Sequence, residues 1–202
     1  MEPKAFINEY GDIITAVTAG PGLLPSVVIA QAALETGWGS SIKKAANNMF
    51  GIKATNAWTG KVISLNTSEY INGVKQSIAG TGKTYNSYTL ALADGANRYT
   101  IFRAYDSIKA SIKDHNKLIT SSSRYKPVLA ESTPEGQAKA LQSCGYSTSP
   151  NYASSLIKII SQYNLTEFDK KKILNYKRYL YIAGGCVLAG LIAWYLIKKY
   201  RK

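Results

Sequence analysis

The chain has 202 residues, of which 46% are hydrophobic, which is enough to bury one full core and argues against a disordered protein. The formal net charge is +13, but residues 169–202 contribute nine Lys/Arg and one acid, or +8. Residues 1–168 carry the remaining +5, a mildly basic field that suits an anionic polymer as partner. They contain no basic stripe interleaved with aromatic residues, so we do not expect a nucleic acid partner.

Side chains that hold metals are scarce. The chain has one histidine, His115, and two cysteines, Cys144 and Cys186, and it lacks the HExxH and CxxC patterns of zinc sites. Cys186 lies in a separate apolar segment, so no disulfide framework is expected. We therefore predict neither a metal nor another cofactor.

Two helices are predicted at the start of the chain. Apolar residues at helical spacing indicate an amphipathic helix over 5–19, which Gly20-Pro21-Gly22 ends. Pro25 is suited to the first turn of a second helix, which runs to about Thr36. Gly37 follows as a natural C-terminal stop.

A small β lobe is predicted next. Residues 61–74 change to strand-like alternation, and Asn72-Gly73 is a hairpin-turn dipeptide. A polar, Gly-rich stretch follows to about Arg98. Helical patterns then return at 106–121, 133–143 and 151–163. This order predicts an α+β fold, mainly α, with a small β-hairpin lobe, in a domain that covers residues 1–168.

The C-terminal part has the composition of a membrane anchor. Residues 169–178 form a basic linker, and the 19 residues 179–197 carry no charge. A helix needs about 20 apolar residues to span a bilayer. Basic clusters on both sides argue against a buried core helix. We predict a transmembrane helix over 179–197 and a basic tail over 198–202, and therefore a single-pass C-terminal anchor in a lipid membrane.

The second predicted helix carries a candidate acid. It is apolar on all sides between Val27 and Glu35, which indicates burial. Gln31 and Glu35 are four residues apart and share a face. Burial and the negative end of the helix dipole both raise the pKa of a carboxyl. A glutamate with a raised pKa can protonate a leaving glycosidic oxygen. A glutamate bonded to a buried donor explains the pattern equally well.

Residues 25–54, PSVVIAQAALETGWGSSIKKAANNMFGIKA, resemble the central motif of glycoside hydrolase family 73, the glucosaminidases of bacterial autolysins and flagellum-associated wall hydrolases. The likeness continues in the expected order at 58–60 (WTG), 67–70 (TSEY), 72–73 (NG), 101–107 (IFRAYDS) and 145–153 (GYSTSPNYA). It covers roughly residues 5–165. An ordered set of motifs is stronger evidence than any one of them.

The resemblance implies a lysozyme-like fold and hydrolysis of the β-1,4 bond after N-acetylglucosamine in peptidoglycan, with glycan strands as the partner. It implies that Glu35 is the catalytic general acid and that Glu69 is the second acidic residue, which acts on water or stabilises charge. Two carboxyl groups are the usual machinery of glycosidases. The residues expected to contact the substrate are Gln31, Asn48, Phe50, Trp58, Tyr70, Tyr146 and Tyr152. For each aromatic residue, a role in the core is an equal alternative.

The sequence departs from the family at Ser149, where the family usually has Asp, and over residues 74–98, which look longer than the usual hairpin return and predict an enlarged lobe. Whether the reaction retains or inverts the anomeric configuration, or uses the acetamido group of the sugar, stays open. A lytic transglycosylase and a non-catalytic wall-binding or structural membrane protein are the rival functions. The presence of both Glu35 and Glu69 favours the hydrolase.

The two ends of the chain predict an unusual location. The N-terminus does not read as a standard signal peptide. An enzyme domain that precedes a C-terminal anchor then predicts delivery on a virion membrane, with virion or envelope-complex proteins as further partners. An ordinary protein of the bacterial cell envelope is the alternative.

Overall fold

The computed structural model describes residues 1–18, 22–42 and 46–172. Two helices begin the chain: α1 at Pro3–Val17 and α2 at Pro25–Thr36. Each has a proline in its first turn, where the missing N–H leaves no hydrogen bond unmade. Gly37 ends α2 with a φ of 55°, a left-handed conformation that glycine adopts without strain. Both predicted helices are confirmed.

The rest of the described chain alternates short strands with helices. The strands are β1 (Val62–Ser64), β2 (Thr67–Ile71), β3 (Val74–Ile78), β4 (Thr84–Tyr85) and β5 (Ile101–Arg103). The helices are α3 (Tyr88–Ala93), α4 (Ile108–Ser121), α5 (Lys126–Ala130), α6 (Pro134–Ser143) and α7 (Tyr152–Gln162). This is the mainly helical α+β architecture that the sequence predicts.

The β lobe contains two small antiparallel sheets. One has the strand order β4-β1-β5, and the other is the hairpin β2-β3, in which Glu69 lies opposite Gln76. Asn72 and Gly73 form the hairpin turn with φ angles of 50° and 79°. A two-residue hairpin turn of the favoured type requires positive φ at both positions, which asparagine and glycine tolerate best. The predicted turn is confirmed.

The polar stretch 74–98 builds much of the lobe, since it contains β3, β4 and α3. Helix α3 begins after Ser87, whose side-chain oxygen accepts a hydrogen bond from the Leu90 N–H at 3.2 Å. Ala91 enters a second, smaller core, whose other buried members are Ala54, Val62, Ala96 and Ile101. The lobe therefore has its own small core beside the larger helical one.

The larger core surrounds α2. All of its residues from Pro25 to Ala33 are buried, together with Thr36, and only Leu34 and Glu35 within the helix are exposed. The surrounding elements supply buried side chains that include Phe6, Ile14, Ile112, Leu141 and Leu156. A helix with neighbours on every side holds its residues in fixed positions, and this places the exposed last turn of α2 rigidly.

The packed domain extends past its predicted end at residue 168. Residues 166–172 are helical and lie against the start of the molecule. The Phe168 ring packs on Gly11 so closely that an added Cβ would lie 2.6 Å from it. The Asp169 carboxylate accepts a hydrogen bond from the Ser26 N–H at 2.8 Å. The segment predicted to begin a linker at 169 is thus part of the folded body as far as residue 172.

Asp169 supplies from a distant segment the cap that α2 lacks, because Leu24 at the N-cap position has no side-chain acceptor. We expect Asp169→Ala to lower the free energy of unfolding by about 1 kcal/mol, the usual effect of losing an N-terminal cap. Asp169→Asn keeps an acceptor for the Ser26 N–H and should lose less. Urea denaturation of the three proteins measures these differences, and equal losses in both variants would contradict the capping role.

The predicted anchor lies outside the described residues. This applies to the remainder of the linker, 173–178, to the predicted span 179–197 and to the tail 198–202. Among the residues that the structure does describe, no helix is both long enough and apolar enough to cross a membrane.

Candidate active site

Glu35 lies in the last turn of α2, where the helix emerges from the core. Its side chain is exposed, yet the protein around it is dense enough that burial raises its pKa above the usual range of a carboxyl. Glu35 therefore combines access to solvent with a raised pKa, which a general acid needs near neutral pH.

Tyr152 lies between Gln31 and this carboxyl. The Gln31 side-chain N–H donates to the Tyr152 hydroxyl oxygen at 3.0 Å. The interaction of that hydroxyl with Glu35 partly offsets the rise in the pKa of Glu35. Burial, and then the charge of Glu35, raise the pKa of Tyr152, so its hydroxyl stays protonated. Gln31 and Glu35 share a helix face, as predicted, and they meet at Tyr152.

An aromatic cluster forms the wall behind Tyr152. The Tyr146 ring stacks on the Tyr152 ring with a centroid separation of 5.6 Å and meets the His115 ring edge-on at 5.8 Å. Phe50 stacks on the other side of the cluster, 3.7 Å from His115. Burial lowers the pKa of His115 to about 4, so this imidazole is neutral at neutral pH. The wall therefore adds no second charge beside Glu35.

Glu69 occupies the opposite kind of environment. It lies on β2 in the hairpin and is partly exposed. The Lys53 ammonium donates to its Oε1 at 2.8 Å, and the Thr67 hydroxyl donates to the same oxygen at 2.8 Å. These bonds, with that from Lys53 the largest contribution, lower the pKa of Glu69. Glu69 is therefore held as a carboxylate.

The two glutamates thus have pKa values that are shifted in opposite directions. Burial raises the pKa of Glu35 in the helical body, while an ammonium lowers that of Glu69 in the hairpin. A pair of carboxyl groups whose environments separate their pKa values is the arrangement that divides acid and base roles in glycosidases. These two environments therefore suit the acid and carboxylate roles that hydrolysis of a glycosidic bond requires.

Several residues that were expected to contact the substrate are buried. Gln31, Asn48 and Phe50 are 0%, 3% and 4% exposed, respectively. The Asn48 amide donates to the carbonyls of Ile52 and Arg103, both at 2.9 Å, and so fixes the loop between the two lobes. In the structure, these three side chains position other groups and do not line an open surface.

Three of the four other predicted contacts are partly or largely buried. Tyr146 is half-buried, and burial, followed by the charges of Tyr152 and Glu35, raises its pKa. Tyr152 is 3% exposed and reaches the site through its hydroxyl. Trp58 is half-buried, and the Arg103 guanidinium lies 4.6 Å above its ring, which covers one face. Tyr70 is next to Glu69 on β2, opposite Lys75. Contact of these residues with the substrate stays a prediction.

Lys53 and Thr67 belong to the site but were not predicted as site residues. Both lie within motifs that the sequence resembles, yet nothing local shows that a lysine 16 residues before Glu69 meets it. A depression of about 510 Å³ opens beside Thr67, lined by Asn66, Thr67, Ser68, Ser77, Ile78 and Ala79.

Within the described ranges, no three His, Cys, Asp or Glu side chains cluster closely enough to hold a metal.

Comparison with known proteins places this chain in a family. Residues 11–165 match the family described as mannosyl-glycoprotein endo-beta-N-acetylglucosaminidase. The peptidoglycan hydrolase FlgJ of Salmonella typhimurium is 36% identical over 146 residues, which are 70% of this chain and 40% of FlgJ. The exo-glucosaminidase LytG of Bacillus subtilis is 32% identical over 175 residues, which are 84% of this chain and 54% of LytG.

Solved structures agree with the sequence relatives. The catalytic domain of the autolysin Auto from Listeria monocytogenes has a TM-score of 0.64 and 33% identity, and the match covers 83% of this chain and 87% of that domain. The chain spans about half the length of the curated relatives that it matches. It belongs to the glucosaminidase family of glycoside hydrolases, and the resemblance seen in residues 25–54 is confirmed.

Proposed function

We propose that this protein hydrolyses the β-1,4 bond after N-acetylglucosamine in peptidoglycan, as an endo-acting N-acetylglucosaminidase. The observation that carries this proposal is the pair of oppositely perturbed carboxyl groups, Glu35 and Glu69, within a domain of the glucosaminidase family. Two relatives, a peptidoglycan hydrolase and an exo-glucosaminidase, support the substrate class and the bond.

The mechanism follows from the protonation states. Glu35, whose pKa is raised by burial, donates its proton to the glycosidic oxygen as the bond breaks. Glu69, ionised because Lys53 and Thr67 stabilise its charge, acts on water or stabilises the developing positive charge of the sugar ring. The Tyr152 hydroxyl, which accepts a hydrogen bond from Gln31, lies close enough to Glu35 to affect its pKa. The anomeric configuration of the first product distinguishes retention from inversion.

Product analysis tests the bond that is cleaved. Purified full-length protein is incubated with peptidoglycan, the new reducing ends are reduced with borohydride, and the fragments are analysed by mass spectrometry. We expect reduced N-acetylglucosamine ends. Reduced N-acetylmuramic acid ends would overturn the assigned bond, and anhydro ends would identify a lytic transglycosylase. Binding without any cleavage would identify a wall-binding module. The raised pKa of Glu35 argues against that outcome.

The pH dependence tests the division of roles. We expect kcat/KM on a soluble glycan fragment to follow a bell-shaped profile. Activity falls on the alkaline side as Glu35 loses its proton, and burial moves that limb to higher pH than for an exposed glutamate. Activity falls on the acidic side as Glu69 gains a proton, and Lys53 moves that limb to lower pH. A profile without an alkaline limb would contradict Glu35 as the acid.

We further propose that residues 179–197 anchor the enzyme in a membrane. The support is the run of 19 uncharged residues between basic clusters. Residues 166–172 pack on the enzyme body, so six residues, 173–178, separate it from the proposed span, and a chain of that length reaches at most about 20 Å. The proposed anchor would therefore keep the active site close to the membrane surface. Extraction of membranes with carbonate tests this proposal, because a protein released into the supernatant has no spanning anchor.

The membrane is proposed to be that of a virion or of the bacterial envelope, where the enzyme reaches the wall and meets virion or envelope-complex proteins. Density-gradient fractionation separates the two locations. Recovery with purified particles supports the virion membrane, and steady recovery in the envelope of uninfected cells supports the cellular location and overturns the virion one.

A further inference from the structure

We propose that Lys53 is a positioning residue, which holds Glu69 by one carboxylate oxygen and so presents the other oxygen to the reaction. The inference rests on the proposed function, in which Glu69 acts on water or on the charge of the sugar ring. It concerns a side chain that lies outside the pair of acids themselves.

The Lys53 ammonium has a partner for each of its three N–H groups. It donates to Glu69 Oε1 at 2.8 Å, to Thr67 Oγ1 at 3.2 Å and to the Tyr99 carbonyl. It also lies 3.8 Å from the centroid of the Phe102 ring, where the face of an aromatic ring attracts a cation. An ammonium with all of its donors in use has one defined position. Lys53 is therefore a fixed point for the hairpin.

The backbone around Lys53 is fixed as well. Lys53 forms an isolated antiparallel bridge with Phe102 of β5. On either side of it, the Arg103 N–H donates to the Ile52 carbonyl at 2.9 Å, and the Ala54 N–H donates to the Ile101 carbonyl at 3.0 Å. The Lys53 backbone is thus attached to β5, in the three-stranded sheet, and not to the hairpin that carries Glu69. Its side chain joins two separate parts of the β lobe.

Both hydrogen bonds to Glu69 end on the same oxygen. Lys53 and Thr67 donate to Oε1, while Oε2 accepts no hydrogen bond from the part of the chain that the structure describes. A carboxylate held by one oxygen leaves the lone pairs of the other available to a proton or to an electron-poor carbon. Lys53 therefore determines which oxygen is reactive and in which direction it is presented.

A role in stability alone is a poor account of this contact. The Lys53 and Glu69 side chains are 36% and 29% exposed, and ion pairs with such access to water contribute little to folding. Burial lowers the pKa of Lys53, and the interaction with Glu69 offsets part of that change. The main effect of the ion pair is therefore to keep Glu69 ionised.

Lys53→Met tests the proposal, because methionine keeps most of the unbranched side chain and removes the ammonium group. We expect kcat to fall roughly tenfold, the usual effect of losing a hydrogen bond to a charged group, with little change in KM. We also expect the acidic limb of the kcat/KM profile to move to higher pH, because Glu69 then takes up a proton more easily. A purely structural lysine would lower activity equally at every pH.

Three further variants complete the experiment. Lys53→Arg keeps a cation and should return the acidic limb towards its original position. Thr67→Val removes the second hydrogen bond to Oε1 and should move the acidic limb in the same direction as Lys53→Met does. It therefore tests the proposal even if Lys53→Met folds poorly. Lys61→Met is the matched control, because Lys61 pairs with Asp106 at the exposed surface, and we expect no change.

The outcomes separate this inference from the proposed function. If the wild-type protein cleaves peptidoglycan and Glu69→Gln is impaired, an unmoved acidic limb in both Lys53→Met and Thr67→Val overturns the role of Lys53 alone. If the wild-type protein cleaves no glycosidic bond, the proposed function itself fails. Losses in Lys53→Met and Glu69→Gln that simply add in the double variant also overturn the inference, because a residue that acts through another gives non-additive effects.

Discussion

The Glu35→Gln variant is expected to lose wall-lytic activity by roughly a hundredfold or more, the effect of removing a general acid. Glutamine keeps the size of the side chain, but it has no proton of suitable acidity for the leaving oxygen. The loss should appear in kcat, because proton donation stabilises the transition state and not the bound substrate. Turbidity of a wall suspension and release of soluble fragments both measure it.

The same variant should be as stable as the wild-type protein or more stable. Burial raises the pKa of Glu35 in the folded state, so the ionised side chain costs stability at every pH above its unfolded pKa. Glutamine removes that cost, and a thermal melt near neutral pH should show an equal or higher Tm. Activity close to wild type would contradict the general-acid role. Glu135→Gln is the control, since Glu135 is exposed on α6 and should tolerate the change.

Local signals in the sequence were sufficient for part of the site. Helix α2, with Pro25 at its start and Gly37 at its end, follows from residues close together in the chain, and so does the turn at Asn72-Gly73. The raised pKa of Glu35 also follows, because a helix without a polar face must be buried. These features depend on periodicity and capping, which a sequence displays directly.

Other parts depend on contacts between distant segments, which a sequence does not display. Lys53 meets Glu69 only after β5 and the hairpin have folded, and Asp169 caps α2 through Ser26, which lies 143 residues earlier. Phe50 is of a residue type that often binds sugar rings, but tertiary packing places it against His115 in the core. An aromatic residue in a motif fits a groove and a core equally well, and only its neighbours decide between them.

Glu69→Gln is expected to lower kcat by roughly tenfold to a hundredfold, less than the loss in Glu35→Gln, because the hairpin residue assists the reaction without supplying the first proton. The amide oxygen of glutamine can still accept the hydrogen bonds of Lys53 and Thr67, so the hairpin should keep its shape while the negative charge is lost. A lower kcat together with an unchanged thermal melt would show that the loss comes from the missing charge and not from a change in the fold.

Glu69→Ala extends this result to the chemistry of the missing group. Removal of the side chain leaves space for a small anion beside Lys53, so added azide should restore activity if Glu69 supplies a negative charge or attacks the sugar carbon. A glycosyl azide product would show attack at the anomeric carbon, whereas a hydrolysed product would show a role in charge or in water activation.

Wild-type activity in Glu69→Gln would contradict this role of Glu69. The acetamido group of the substrate or Asp94 would then have to act in its place. Asp94 is the weaker alternative of those two, because its carboxylate already accepts hydrogen bonds from Lys83 at 2.9 Å and from Tyr85 at 2.8 Å.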